Sequence, residues 1–276
     1  MLLRPSLVWL LLVCAVGCQR DVTPPDTTLA TAPASVEAPI RRLAKPVSGL
    51  AFQSEDTRRL QADDFANPGL LWLDRGRALW NTAPNDNAPS CQSCHGDPES
   101  AMAEVATRYP QYDKERDKLI DLHQQIDRCR SQRQNLEPAV YESDELLALA
   151  ILIGHQSLGL PFNVSVDGAA RRFFDAGEAY YYQRRGQMNL ACHHCHELNA
   201  GRMLRGDRLS QGHGNGYPAY RLEWQSVGSL HRRLRFCNQG VRALQHPYGA
   251  PEYVNLALFL AWRSSQLPIE TPAVRR

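Results

Sequence analysis

At 276 residues the chain is long enough for two domains of ordinary size, and at 43% hydrophobic composition it can fill packed cores. Its net charge of +2 excludes a general nucleic-acid binder, which carries a strong basic excess. Of its 31 basic residues only Lys45, Lys114 and Lys118 are lysine, so the positive charge is arginine, whose fork of donors suits flat or tetrahedral oxyanions.

Residues 1–17 have the pattern of a secretory signal, with Arg4 at the positive end and an apolar run from Leu7 to Val16 too short to span a bilayer. Ala15-Val16-Gly17-Cys18 resembles a bacterial lipobox, in which Cys18 carries a lipid anchor; ordinary cleavage nearby is the alternative. Either way the mature chain is expected in the periplasm, tethered to the membrane if Cys18 is lipidated. Residues 18–54, rich in Thr, Pro and Ala, read as a flexible tether, with order beginning near Leu60. Helical spacing runs from Pro68 to Trp80, followed by a turn-rich loop from Asn81 to Ser90. A second helix is predicted from about Tyr112 to Cys129, and a third after the N-cap Ser143 through Leu152. Gly154 to Phe162 is a linker. Asp167 is then expected to cap a helix through Tyr182, and the last helix starts at Pro251 and ends near Ser265. No alternating strand pattern stands out, so the expected fold class is all-α.

Two short motifs organise this helical chain. Cys91-Gln92-Ser93-Cys94-His95 and Cys192-His193-His194-Cys195-His196 each place two cysteines three apart with a histidine directly after the second. This is the attachment pattern of c-type haem: both thiols add to the porphyrin vinyl groups and the histidine becomes the proximal iron ligand. A structural zinc site made of the two cysteine pairs would leave both trailing histidines unexplained. The chain therefore calls for two covalently bound c-type haems.

The surroundings of the motifs repeat. Gly76 and Gly177 each lie fifteen residues before the first motif cysteine. Tyr109-Pro110-x-Tyr112 lies twenty residues before Cys129, and Tyr217-Pro218-x-Tyr220 twenty before Cys237. Leu122-His123 matches Leu230-His231, and Leu147-Ala148-Leu149 matches Leu256-Ala257-Leu258. We read two tandem cytochrome c-like domains related by internal duplication, 55–158 and 159–276, the second carrying the active site.

Electron-carrying c-type haems usually take Met as the sixth ligand, but Met102, Met188 and Met203 are all misplaced for that role. Cys129 and Cys237 lie 35 and 42 residues after the second haem cysteine, at repeat-equivalent positions, and are the candidate axial thiolates. A disulfide between them is the competing reading for an oxidising compartment. His123 and His231 are rival ligands at equivalent sites, read as packing residues because they project from another helix face.

The copies differ in charge. Gln124, Gln125 and Asp127 of the first stand against Arg232, Arg233 and Arg235 of the second, and eight arginines fall between Arg202 and Arg242. Some would pair with haem propionates. The excess marks an anion pocket beside the second haem, where a metal-bound, deprotonated cysteine suits sulfur chemistry. A plain dihaem electron carrier and a dihaem peroxidase are the alternatives, the latter disfavoured by two internal thiolates.

Gly186-Gln187-Met188-Asn189-Leu190-x-Cys192, Arg205-Gly206, Gln211-Gly212, Gly216-Tyr217-Pro218-x-Tyr220-Arg221 and Arg232-Arg233-x-Arg235-x-Cys237 together resemble SoxA, the dihaem subunit of the SoxAX complex, an L-cysteine S-thiosulfotransferase. The resemblance implies His95 with Cys129 and His196 with Cys237 as axial pairs. It implies Cys237 as active-site sulfur, Arg233 as a thiosulfate-binding residue, and a further active-site arginine downstream, for which Arg263 is the candidate. It also implies a SoxX-type partner, a SoxYZ-type carrier protein as substrate, thiosulfate as the sulfur donor, and a small cytochrome c as electron acceptor.

Overall fold

A computed structural model describes residues 45–276. The signal segment, Cys14, the lipobox-like Cys18 and the tether as far as residue 44 lie outside the described residues. The fold is mainly helical, and two helix pairs frame it. Helix α1 (Glu55–Ala62) leads to α2 (Leu70–Asn81), which packs on α6 (Asp144–His155); α7 (Arg171–Tyr182) packs on α10 (Pro251–Arg263). Both crossings are made at glycine. A Cβ on Gly76 would stand 2.3 Å from the Ala148 carbonyl oxygen, and one on Gly177 2.1 Å from that of Asn255, so each pair is in backbone contact that only glycine permits.

The short α3 (Cys91–His95) and α8 (Cys192–His196) carry the two motifs. After α4 (Pro98–Ala101) comes a hairpin, β1 (Gln111–Asp113) with β2 (Lys118–Ile120), then α5 (Leu122–Arg133). After α8 come a small hairpin, β3 (Met203–Leu204) with β4 (Asp207–Arg208), a second hairpin, β5 (Ala219–Arg221) with β6 (Ser226–Gly228), and α9 (Leu230–Gly240). The C-terminal β7 (Ala273–Arg275) adds to β5 in parallel. Tyr109-Pro110 and Tyr217-Pro218, which open equivalent hairpins, are both cis.

Helix α6 is apolar on every side, with Leu146 through Ile153 all buried, because it has two partners. One face packs with Trp80 and Ile126; the other, through Leu147 and Ile151, packs with Tyr220, Val227 and Val274 of the sheet. Helix α10 is likewise enclosed, its Leu256 and Phe259 packing with Phe174 and Tyr181 of α7 and with Leu119 of β2.

The all-α expectation is thus corrected: short strands are present. The predicted helix from Tyr112 to Cys129 is a hairpin followed by a helix. Asp121 is the reason, since it accepts from the Gln124 amide at 2.9 Å while Gln124 returns the bond to the Asp121 amide, a capping box that starts α5 at Leu122. Asp113 closes the hairpin turn, accepting from the Glu115 amide, and three-residue strands are too short to show an alternating period. Ser143 caps α6 and Pro251 opens α10 as expected. Asp167 makes no cap bond; a 3-10 turn, Gly168–Ala170, leads into α7 instead. Order also begins earlier than Leu60. Ser54 caps α1, Ser48 caps a turn at Gly49–Phe52, and the Val47 amide donates to Gln211 Oε1 at 2.7 Å.

Candidate active site

In α8, Cys192 and Cys195 are three apart and share one face. His196 Nδ1 lies 2.8 Å from the Ser210 carbonyl, a bond that fixes Nδ1 as the protonated nitrogen and leaves Nε2 as the ligating one. Gly212 (φ +73°) brings the chain against this imidazole: a Cβ there would be 2.7 Å from His196 Cγ. Helix α9 enters opposite, capped by Ser229, whose hydroxyl accepts from the Arg232 amide at 3.2 Å. Arg233 and Cys237, four residues apart, lie on one face of it. Asn238 anchors the helix, its amide donating to Tyr180 Oη of α7 at 2.9 Å and Tyr253 Oη of α10 at 3.1 Å.

The Cys237 thiol faces His196. Burial pushes its pKa up, but the charge of Arg233, then His196 and Arg221, outweigh burial and hold it at about 6. Arg233 is in turn raised by the charge of Cys237. Cys192, on the attachment side, is pushed up to about 11 by burial, which the nearby Arg185 only partly offsets.

The first motif has the same frame with different electrostatics. Ser90 caps α3, and Trp80 donates Nε1–H to the Gly96 carbonyl at 3.0 Å while its ring lies 5.6 Å from that of His95. Cys129 lies beside Cys94 and Cys91, and both Cys129 and Cys91 are pushed up, by burial first and then by each neighbouring thiol. Gln125 stands where Arg233 stands in the other copy, and Arg133 and Arg128 offset the burial of Cys129 only in part. Cys129 and Cys237 are each grouped with their own motif's thiols and are not bonded to each other. Among the described residues no cluster of three or more His, Cys, Asp or Glu has the arrangement of a metal-ion site. The donor sets fit covalent haem at both motifs: paired thiols on one helical face, a histidine beside them and a cysteine entering on another helix.

The side chain of Arg263 is fully buried, pairing with Glu197 at 3.1 Å and donating to the Gln211 carbonyl at 2.6 Å, while its Nε–H has no acceptor. Tyr182 Oη also donates to Glu197, at 3.1 Å. These contacts hold the segment after His196 and engage two of the three guanidinium nitrogens of Arg263. His123 and His231 lie on the two faces of Tyr141, ring centroids 4.9 Å away on each side, so they are packing groups between the ligand helices. Tyr141 donates to Asp121 at 2.5 Å, and the Gly249 amide donates to His231 Nδ1 at 3.1 Å. Glu197 and Asn238 have no part in the sequence argument, because their importance lies in burial and in partners far away in the chain. Arg221 enters it only as the last residue of one matched stretch, without a role of its own.

Residues 75–162 match the family model for the SoxA/TsdA cytochrome c domain. The chain is 39% identical over 231 residues to the L-cysteine S-thiosulfotransferase subunit SoxA of Pseudaminobacter salicylatoxidans, covering 83% of this chain and 81% of that one. It is 38% identical to the same-named subunit of Paracoccus pantotrophus, over 83% and 78%. The crystal structure of SoxXA from P. pantotrophus superposes with a TM-score of 0.81 at 37% identity, covering 84% of this chain and 87% of that one.

Proposed function

This chain belongs to the SoxA family, and from that premise we propose that it is the subunit of an L-cysteine S-thiosulfotransferase that joins thiosulfate to a cysteine of a SoxY-type carrier. The observation that carries the reading is the placement of Cys237, on one face of α9 with Arg233 and facing His196. The reaction balances as a two-electron oxidation. Thiosulfate and the carrier thiol form a sulfur–sulfur bond, giving cysteine S-thiosulfonate, one proton and two electrons. The electrons leave by way of a SoxX-type cytochrome partner to a small cytochrome c. Arg233 binds the dianion through paired N–H donors, and the low pKa keeps Cys237 a thiolate at neutral pH, the nucleophilic form.

Two c-type haems would complete the protein. One would be held by Cys91, Cys94, His95 and Cys129, the other by Cys192, Cys195, His196 and Cys237. When bound, the haem supplies a one-electron acceptor and a cation that keeps the ligating sulfur deprotonated. The two haem domains, 55–158 and 159–276, are tandem copies. The recurring order of motif helix, cis Tyr-Pro, hairpin, ligand helix and packing helix supports this. Residues 1–17 are a signal for export to the periplasm, and the stretch from Cys18 to residue 44 is a tether anchored by lipid at Cys18. Electron paramagnetic resonance of oxidised Cys129→Ala and Cys237→Ala, with a carrier-conjugation assay, tests the assignment. Each variant should lose one thiolate-type low-spin signal, and Cys237→Ala should lose conjugation. Wild-type conjugation by Cys237→Ala would refute the mechanism.

A further inference from the structure

The arginines around the second motif are not equivalent. Arg232 donates to Ser226 Oγ at 3.2 Å and lies over the Trp224 ring. Arg235 reaches the His246 carbonyl, and Arg275 pairs with Glu270. Arg233 and Arg221 are less fully paired. Arg233 makes no ion pair with a carboxylate among the described residues. Arg221, on β5, is only 6% exposed, yet its Nε–H has no acceptor. Its other nitrogens make only long contacts, 3.4 Å to Tyr217 Oη and 3.5 Å to Glu223, a carboxylate that is itself half-exposed. Arg233 also feels the charge of Glu223, so the two guanidiniums share a carboxylate neighbour. Both act on the Cys237 sulfur.

A buried guanidinium with an unused donor is costly unless a ligand completes it. Two arginines beside one thiolate carry one positive charge more than the sulfur neutralises, which favours an anion with oxygens on one end and sulfur on the other. We propose that Arg221 is a second anion-binding residue of the Cys237 site, taking the sulfonate oxygens of thiosulfate together with Arg233. The proposal rests on the thiosulfotransferase reading. Arg221 stays in place because its stem lies against Trp224, 5.1 Å from guanidinium carbon to ring centroid, on a strand held by β6 and β7. Trp224 is itself accommodated by Gly228, where a Cβ would meet the ring at 2.5 Å.

The test uses the haem-loaded complex with its cytochrome partner and three variants, Arg221→Gln, Arg221→Lys and Glu223→Gln. Thiosulfate affinity is measured calorimetrically, KM and kcat by carrier conjugation, and sulfate as a competing unreactive dianion. Loss of a charge-assisted, bidentate contact should raise the thiosulfate Kd and KM about tenfold or more in Arg221→Gln. Arg221→Lys should recover part of this, and the sulfate inhibition constant should weaken in parallel. Glu223→Gln removes a competing carboxylate from the surface and should tighten thiosulfate binding. Unchanged Kd and KM in Arg221→Gln, with the pH dependence of the haem reduction potential altered instead, would overturn the proposal and assign Arg221 to a haem propionate. Weaker binding in Glu223→Gln would also count against it. A wild-type complex that fails to conjugate thiosulfate would instead refute the thiosulfotransferase reading itself.

Discussion

Adding one methyl group at Gly177 should damage one haem site and spare the other. The Cβ of Gly177→Ala would meet the Asn255 carbonyl oxygen at 2.1 Å, its carbon at 2.6 Å and the Leu256 amide at 3.1 Å. All three are backbone atoms of α10, so no side chain can rotate away. Ordinary contact begins at 3.4 Å, and the helices must part by about 1 Å to reach it. That separation opens the packing of Phe174 and Tyr181 on Leu256 and Phe259. Overpacking of this kind costs about 2–3 kcal/mol, which for a chain of this size lowers Tm by roughly 5–10 °C. Asn238 ties α9 to both helices through Tyr180 and Tyr253, so the displacement should reach Cys237 and broaden the low-spin signal of the second haem. Gly76→Ala, 2.3 Å from the Ala148 carbonyl oxygen, should disturb the first haem's signal instead. Gly240→Ala, with nothing within 4 Å, is the control and should be neutral. Thermal unfolding by circular dichroism and paramagnetic resonance of the three oxidised variants give the answer. An unchanged Tm in Gly177→Ala, or equal disturbance of both signals by either glycine variant, would refute the backbone-contact argument.

His231 should make the fold acid-sensitive. It is 2% exposed, and burial lowers its pKa from 6.5 to about 4. Between those values the unfolded chain binds a proton that the folded chain refuses. Stability is therefore complete above pH 6.5 and falls as pH drops towards 4, by up to about 3 kcal/mol. Urea midpoints at pH 7 and pH 4.5 should differ less in His231→Gln, whose amide oxygen can still accept from Gly249; an identical difference would exclude His231 as the source. Arg263→Gln leaves the carboxylate of Glu197, 4% exposed, without its counter-charge. The cost is about 3–5 kcal/mol, read as a Tm lowered by roughly 10 °C with a shifted second-haem spectrum. A variant that melts with the wild type would show that the buried pair does not hold the His196 segment.

Taken alone, the sequence determines what depends on residues close together. The haem attachment motifs, the Ser143 cap, the first-turn Pro251, and the charge contrast between Gln125 and Arg233 are local in this sense, and adjacency in sequence is enough to define them. The paired glycines also show there as a recurrence, though not their purpose. The hairpins are hidden because three-residue strands carry no readable period, and because Asp121 decides where α5 begins through a side-chain bond. Tertiary structure alone assigns the arginines. Arg263, 66 residues from Glu197, is paired at 3.1 Å with a buried carboxylate, while Arg221 meets only the half-exposed Glu223 at 3.5 Å. Whether a guanidinium is a support or a binding group depends on the desolvation it suffers and the acceptors it meets. Both are properties of the packed protein, set when α7, α9, α10 and the β5 sheet close around Cys237.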